Sequence, residues 1–322
     1  MEGERDGTVE IYVATRNASR ARRARAREEE RELDPIDPNL LGCTDLHRIH
    51  RVAHDNGWSW AESGLRLVRG LDQPVLRARE AGAPPIPQVH VSPFMHARWP
   101  PLVEGGLLRK AAPRLTWLAR CGLFEVEKSN SLMHVIFDAR PANRVLERMA
   151  GPLSLFRVED LCAVVARWLE YAHATGKAVT AATIDFRHFF HQVPLRQELV
   201  RCFAVVVDGE TLIPVVMPMG WQDAPKIAQA ISTIVAIYDA NGESVAVDKT
   251  EIPTIITAHG CHIFVLLDGI FVVGEEAAVR KHVERMNGNI RNFKIIPENV
   301  EVQGGWSSCG FKEGSRSPSR ES

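Results

Sequence analysis

A carboxylate is seldom buried unless it is paired or binds a metal, and this chain sets two of them in or beside apolar, strand-like runs. Asp185 closes the run that starts at Ala178 and leads into Phe186-Arg187-His188-Phe189-Phe190-His191-Gln192-Val193-Pro194-Leu195. Asp268 follows Phe264-Val265-Leu266-Leu267 and precedes Gly269-Ile270-Phe271-Val272-Val273. Between them lies Met217-Pro218-Met219-Gly220-Trp221-Gln222-Asp223-Ala224-Pro225, continuing to Gln229. An acid at a strand end and another at a hairpin tip can meet over a sheet and hold Mg²⁺, which takes hard oxygen ligands. Asp268-Gly269 is equally the sequence of an ordinary type I′ turn, and Asp185 could equally cap a turn.

The pattern around the two acids predicts an α+β fold. Leu123 to Lys128 and Leu132 to Asp138 alternate about Ser129-Asn130-Ser131, which reads as a β-hairpin. Val158 to Ala174 carries Leu161, Val164, Val165, Trp168, Leu169 and Ala172 at helical spacing, with Gly176 as a stop. Phe203 to Val207 and Thr211 to Val216 flank Asp208-Gly209, a second hairpin. Pro225 suits the first turn of a helix running to about Ala240. Ile252 to Ala258, His262 to Leu267 and Phe271 to Val273 are strand-like. Glu275 to Met286 reads as a helix capped by Gly288, and Lys294 to Val302 as an extended run. Hairpins mixed with helices favour an antiparallel sheet over a doubly wound one. Upstream, Asp45 to Val68 is partly helical in spacing. Pro93, Pro100, Pro101 and Pro113 are expected to keep their segment irregular, and Leu115 to Gly122 reads as a short helix closed by a glycine. The expected divisions are a charged N-terminal region over 1–85, a segment over 86–177, a second over 178–311, and a polar Ser/Arg tail over 312–322.

Charge excludes little, because the formal net charge is -1. Its distribution is uneven: Arg20 to Arg27 is basic and Glu28 to Glu32 acidic, as in a solvated helix, a disordered segment or a basic arm for nucleic acid. Six cysteines without CxxC spacing read as reduced, buried thiols of an intracellular protein, cytoplasmic or nuclear. No apolar run reaches the roughly 18 residues of a membrane helix. His188, His191, His259 and His262 lack HxxxH spacing and read as satisfied or exposed histidines, not as zinc ligands.

Four stretches in order resemble the reverse transcriptases of retroelements, of the long-terminal-repeat and tyrosine-recombinase kind, over roughly residues 120–311. Ile136-Phe137-Asp138-Ala139-Arg140-Pro141-Ala142-Asn143 resembles the fingers motif Asp-x-Arg-x-x-Asn. Asp185 with Phe190 to Leu195 resembles the first catalytic motif. Met217 to Gln229, with Pro-x-Gly, Ala-Pro and a closing Gln, is similar to the second. Leu267-Asp268-Gly269 stands where the family carries its Asp-Asp hairpin. The resemblance implies a polymerase palm (an antiparallel sheet with helices on one face) over 178–311, a fingers region over 86–177, and a missing thumb.

It further implies template-directed addition of deoxynucleotides to a primer 3′-OH. In such sites two metals about 3.5–4 Å apart clamp the attacking and leaving oxygens. By this resemblance Asp185 and Asp268 are the catalytic and metal-binding acids, with Mg²⁺ or Mn²⁺ as cofactor. Phe190 takes the position of the aromatic gate against a ribose 2′-OH. Gly220 and Trp221 would shape the floor under the incoming base, with Gln229 beyond them. Lys128 and Arg140 are candidate contacts to triphosphate or template phosphate. The implied partners are an RNA or DNA primer–template and deoxynucleoside triphosphates, with no membrane. Gly269 replaces the second hairpin acid, Leu266 the aromatic before it, His134 a basic fingers residue, and His188 a commonly acidic or small residue. The alternative reading is a non-catalytic nucleic-acid-binding or interaction module derived from such a polymerase.

Overall fold

The computed structural model describes residues 31–77, 86–129, 132–151, 153–242, 244–258, 260–304, 306–307 and 310–311. The Arg/Glu-rich stretch up to residue 30, Gly82 to Pro85, Asn130, His259, Cys309 and the tail from Lys312 lie outside the described residues. In chain order the elements are β1 (Glu32–Leu33), α1 (Leu46–Asn56), α2 (Ser59–Val68), α3 (Pro93–His96), α4 (Trp99–Glu104), β2 (Leu108–Lys110), β3 (Arg120–Ser129), β4 (Leu132–Asp138), α5 (Arg140–Val145) and α6 (Val158–Thr175). They continue as β5 (Val179–Phe186), α7 (Phe189–Gln192), α8 (Gln197–Val200), β6 (Ala204–Val207), β7 (Glu210–Pro214), α9 (Ala224–Ile237), β8 (Ile255–Ala258), β9 (Cys261–Leu266), β10 (Gly269–Glu275), α10 (Glu276–Asn292), β11 (Pro297–Val302), β12 (Trp306–Ser307) and β13 (Gly310–Phe311).

Two sheets result, and the fold is α+β as expected. One runs β1-β4-β3-β6-β7-β2; the other runs β13-β12-β5-β10-β9-β8, with β11 also on β5. Every pairing that β5 makes is antiparallel. Alternation decides which face each strand buries. Ala182, Ile184, Ile263, Val265, Ile270 and Val272 join the main core, whereas Val179, Ala181, Phe264 and Val273 point the other way. Helix α9 fills the main core. From Ile227 to Ile237 every residue is buried, as befits a helix apolar on all sides. On the opposite face α6 contributes Val164 and Ala172. Among the described residues no helix is long and apolar enough to cross a membrane.

Several expectations need correction. The prolines at 93, 100 and 101 do not keep their segment irregular, because they occupy first-turn positions of α3 and α4, where no N–H is required. Leu115 to Gly122 is not a helix. Leu118 donates its N–H to the Arg201 carbonyl, and β3 begins at Arg120 in parallel register with β6. Gly122 lets His90 pass, since a Cβ there would lie 2.5 Å from the His90 oxygen. Gly288 caps nothing: α10 runs on to Asn292, because Met286, Asn289 and Ile290 are buried and the Asn289 amide donates to the carbonyls of Val235 and Tyr238. Asp45 to Val68 is two helices, broken at Gly57 with φ 71°. The thiols are not uniformly buried, since Cys162 is exposed and Cys43 half-buried. Burial pushes the Cys121 thiol up to about 12.

Ile234 is fully buried at the centre of α9. Replacing it with Ala should remove about 2–5 kcal/mol of stability, seen as an earlier urea midpoint with unchanged slope. A loss below about 1 kcal/mol would mean that the core there is not close-packed.

Candidate functional site

Strand β5 delivers Asp185 to the end of the sheet. Its neighbour β10 pairs Gly269 with Asp185, and the Phe186 N–H donates to the Asp268 carbonyl, 3.0 Å away. Asp185 therefore stands at the end of β5, and Asp268 in the turn just before β10, beside it. On the other edge of β5, Asn299 of β11 pairs with Asp185 and Pro297 with Phe186. Glu298 is the extra residue between them, at a register shift of the kind that re-aims a side chain. Glu298 is thus a third carboxylate at the same strand end. In the sequence Glu298 is only one residue of an extended run, and nothing local marks it as a neighbour of Asp185.

The charges feel one another. Asp185 is exposed at the strand end, yet desolvation by the protein around its carboxyl lifts it above the ordinary range, and the negative charges of Asp268 and Glu298 lift it further, while the Phe186 N–H and Lys128 oppose them. Burial also raises Asp268, with Glu298 adding to the effect. Like charges at short range disfavour joint ionisation, so this cluster favours either protons or cations.

The hairpin that carries Asp268 turns at Leu267-Asp268, not at Asp268-Gly269. Leu266 pairs with Gly269, and Leu267 takes φ 51°, which a non-glycine residue seldom adopts. Two residues of α9 hold this turn. The Gln229 side chain accepts from the Leu267 N–H at 2.7 Å and donates to the Val265 carbonyl at 2.8 Å, and the Ser232 hydroxyl donates to the Leu267 carbonyl. Gly269 is not needed for the turn. A Cβ there would meet nothing nearer than the Leu266 oxygen, at 3.6 Å, which is ordinary contact.

The other expected site residues separate into two groups. Gln229 is fully buried and bonded at both ends to the hairpin, so it holds Asp268 in place and faces no nucleotide. Trp221 is buried too, edge-on to Phe203, with ring centroids 5.6 Å apart, so it is core and not a floor under a base. Gly220 has φ 108°, and a Cβ on it would lie 2.2 Å from the Phe137 oxygen; it is the point where the Pro-x-Gly loop passes under β4. Asn143 secures that crossing, donating to the Gly220 carbonyl and accepting from the Gln222 N–H, each at 2.9 Å.

Phe190, by contrast, is only half-buried, on the short helix directly after the Asp185 strand, while its neighbour Phe189 turns inward against Phe186 at 4.9 Å. Lys128 reaches toward the acids, its Nζ 3.9 Å from Glu298 and 3.2 Å from Asp34. Arg140 is exposed and makes a two-pronged pair with Asp138 at 2.7 and 2.6 Å. Gln192 completes the framework: its amide donates to the Arg187 and Ile296 carbonyls and accepts from the Ile296 N–H, tying the approach to β11 against the segment after Asp185.

No protein-family model matches the chain, and no curated protein matches it. Among solved structures, a foamy viral protease–reverse transcriptase in complex with double-stranded DNA is similar at 13% identity and a TM-score of 0.47, over 88% of this chain and 49% of that one. A second structure of the foamy viral protease–reverse transcriptase with double-stranded DNA is similar at 13% identity and a TM-score of 0.43, over 77% of this chain and 50% of that one. The chain spans about half the length of the solved structures it matches. So distant a likeness assigns no residue a role.

Both acids have folded-state pKa values above those of the unfolded chain. The fold therefore binds protons more tightly, and stability falls as pH rises from the ordinary carboxylate value through the raised ones. In chelator-treated protein, Asp185→Asn should flatten that fall and match or exceed the wild-type Tm at pH 7. A clearly lower Tm for the variant would show that the ionised Asp185 is held by favourable partners such as Lys128.

Proposed function

We propose that this chain is a reverse-transcriptase-like fingers–palm module that adds deoxynucleotides to a primer 3′-OH under template direction. The observation that supports this reading is the convergence of Asp185, Asp268 and Glu298 at one end of three adjacent strands. The donor set suits Mg²⁺ or Mn²⁺, being all hard carboxylate oxygen and mutually repelling. Asp185 and Asp268 would hold the ion, and Glu298, on the neighbouring strand end, would add negative charge to the site. When bound there, the ion would stabilise the attacking and leaving oxygens of the transferring phosphate.

The remaining residues position and exclude. Phe190 lies one short turn beyond Asp185 and would crowd a ribose 2′-OH. Lys128 and Arg140 are cations for triphosphate or template phosphate, each of which would exchange a carboxylate partner for phosphate on binding. Gln229 and Ser232 fix the hairpin, so that Asp268 does not move when charge develops. The RNA or DNA primer–template and deoxynucleoside triphosphates are the corresponding partners. Gly269, opposite Asp185, favours a second reading, in which the module binds nucleic acid without catalysis.

Primer extension on an RNA template with Mg²⁺ or Mn²⁺ separates the two. Extension should fall on the order of 100-fold in Asp185→Asn and in Asp268→Asn. Extension unchanged in Asp185→Asn sinks the catalytic assignment. A wild type that fails to extend but binds nucleic acid with a steep salt dependence supports the binding module.

Gly269→Asp provides an independent check. It places a carboxylate directly across from Asp185, and like charges on one rung are destabilising. The variant should melt below wild type in chelator and show the larger upward Tm shift on adding Mg²⁺. An equal Mg²⁺ response in the two proteins would argue against a cation at this strand end.

A further inference from the structure

We propose that Asp34, His134 and His188 form a transition-metal site, suited to Zn²⁺, separate from the acid cluster. It would clip the start of the described chain to the β3–β4 hairpin and to the turn after β5. Asp34 follows β1, His134 lies within β4, and His188 lies between β5 and α7. One potential ligand atom from each lies within 4.8 Å of the other two. Asp34 Oδ2 is 3.5 Å from His188 Nε2 and 3.6 Å from His134 Nδ1. Those separations exceed the usual N–H···O range. They approximate the spacing of two ligands on one tetrahedral zinc, about 3.3 Å for bonds near 2.0–2.1 Å. Two imidazoles and a carboxylate with a fourth position left over is also a donor set that zinc takes. Imidazole suits Mg²⁺ poorly, which distinguishes this group from the carboxylates beyond Lys128.

Three further observations converge on the same place. The cluster is enclosed: the side chains of His188, Asp34 and His134 are 4%, 11% and 25% exposed. His188 adopts a left-handed conformation, φ 45° and ψ 46°, a strained geometry for a non-glycine residue. His191 stacks on His188 with centroids 5.9 Å apart and is buried with neither ring nitrogen hydrogen-bonded, an arrangement that is costly for an imidazole. The clip would also strengthen a weak junction, since β1 joins β4 through only the Glu32–Leu132 and Leu33–Met133 rungs.

Lys128 is the competitor. Its ammonium lies 3.2 Å from Asp34 and 3.9 Å from Glu298. Zinc at Asp34 would release it toward Glu298, so filling one site changes the cation supply of the other.

The test uses the full chain, stripped with chelator, given one equivalent of Zn²⁺ and desalted. Wild type should retain about one zinc per chain, and its Tm should rise with excess zinc as expected for a ligand of the folded state. His134→Gln and His188→Asn should each weaken zinc binding on the order of 100-fold; Asn is chosen at 188 because it tolerates the left-handed conformation. Lys128→Met should bind zinc more tightly than wild type. Wild type that keeps no zinc, or variants that bind it equally well, would overturn the site. Should either variant fail to fold, Co²⁺ loaded into the wild-type chain decides the matter. A visible spectrum of nitrogen-coordinated, tetrahedral cobalt supports the site, and a spectrum of hydrated cobalt overturns it.

Discussion

Strand β5 is hydrogen-bonded along both edges, to β10 on one side and to β11 and β12 on the other. A strand paired on both sides cannot slip by one residue without turning its buried face to solvent and breaking two ladders at once. Asp185 is therefore held at a fixed place, and whatever the neighbouring strands carry at that level is held beside it. On β10 that is Asp268 at the hairpin tip; on β11 it is Glu298 at the register shift. Two buried amides keep the neighbours in place: Gln229 grips the hairpin from α9, and Gln192 grips the approach to β11. Buried amides bonded at both ends make stiff connections, because releasing either end leaves a polar group dry.

That rigidity has an electrostatic consequence. Three carboxylates are brought together by backbone pairing, which takes no account of their charge. The fold holds them with the aid of Lys128, which stands between the acid cluster and Asp34. Lys128 thereby joins two groups of different chemistry, one all-oxygen and one rich in imidazole. The hairpin with Leu267 in a left-handed conformation lies at the first of these groups, and the left-handed His188 at the second. Backbone strain of this kind persists only where surrounding contacts over-determine it, and at Leu267 the hydrogen bonds from Gln229 and Ser232 of α9 supply them.

Much of the scaffold was legible because local pattern and tertiary demand agreed. The Val158 helix, the hairpin on Asp208-Gly209, the helix after Pro225 and the antiparallel sheet all appear near their expected bounds. The misses share a cause. Proline reads locally as a breaker where here it begins helices, and glycine as a cap where it is a close-approach point, as at Gly122, or a half-buried position inside a helix, as at Gly288. The turn at Leu267-Asp268 ran against residue preference, since Gly269 was the natural choice for a left-handed position. The resemblance puts Gln229 and Trp221 at a nucleotide, whereas their burial makes them supports. Their neighbours in space, Leu267 and Phe203, are remote in sequence, and no periodicity announces such contacts.

The sequence by itself determined the α+β class, the order of the longer strands and helices from Ala178 onward, and the two acids in apolar runs. Those follow from local rules: side-chain period, turn residues and helix stops. Only the tertiary structure decided which other groups stand beside the acids. Glu298 reaches Asp185 through a ladder between strands more than a hundred residues apart, and Asp34, His134 and His188 meet although no two of them share a spacing motif. Long-range strand pairing is set by burial of the whole sheet, and a one-residue bulge or a single left-handed turn then re-aims a side chain. Neither leaves a mark in the local sequence.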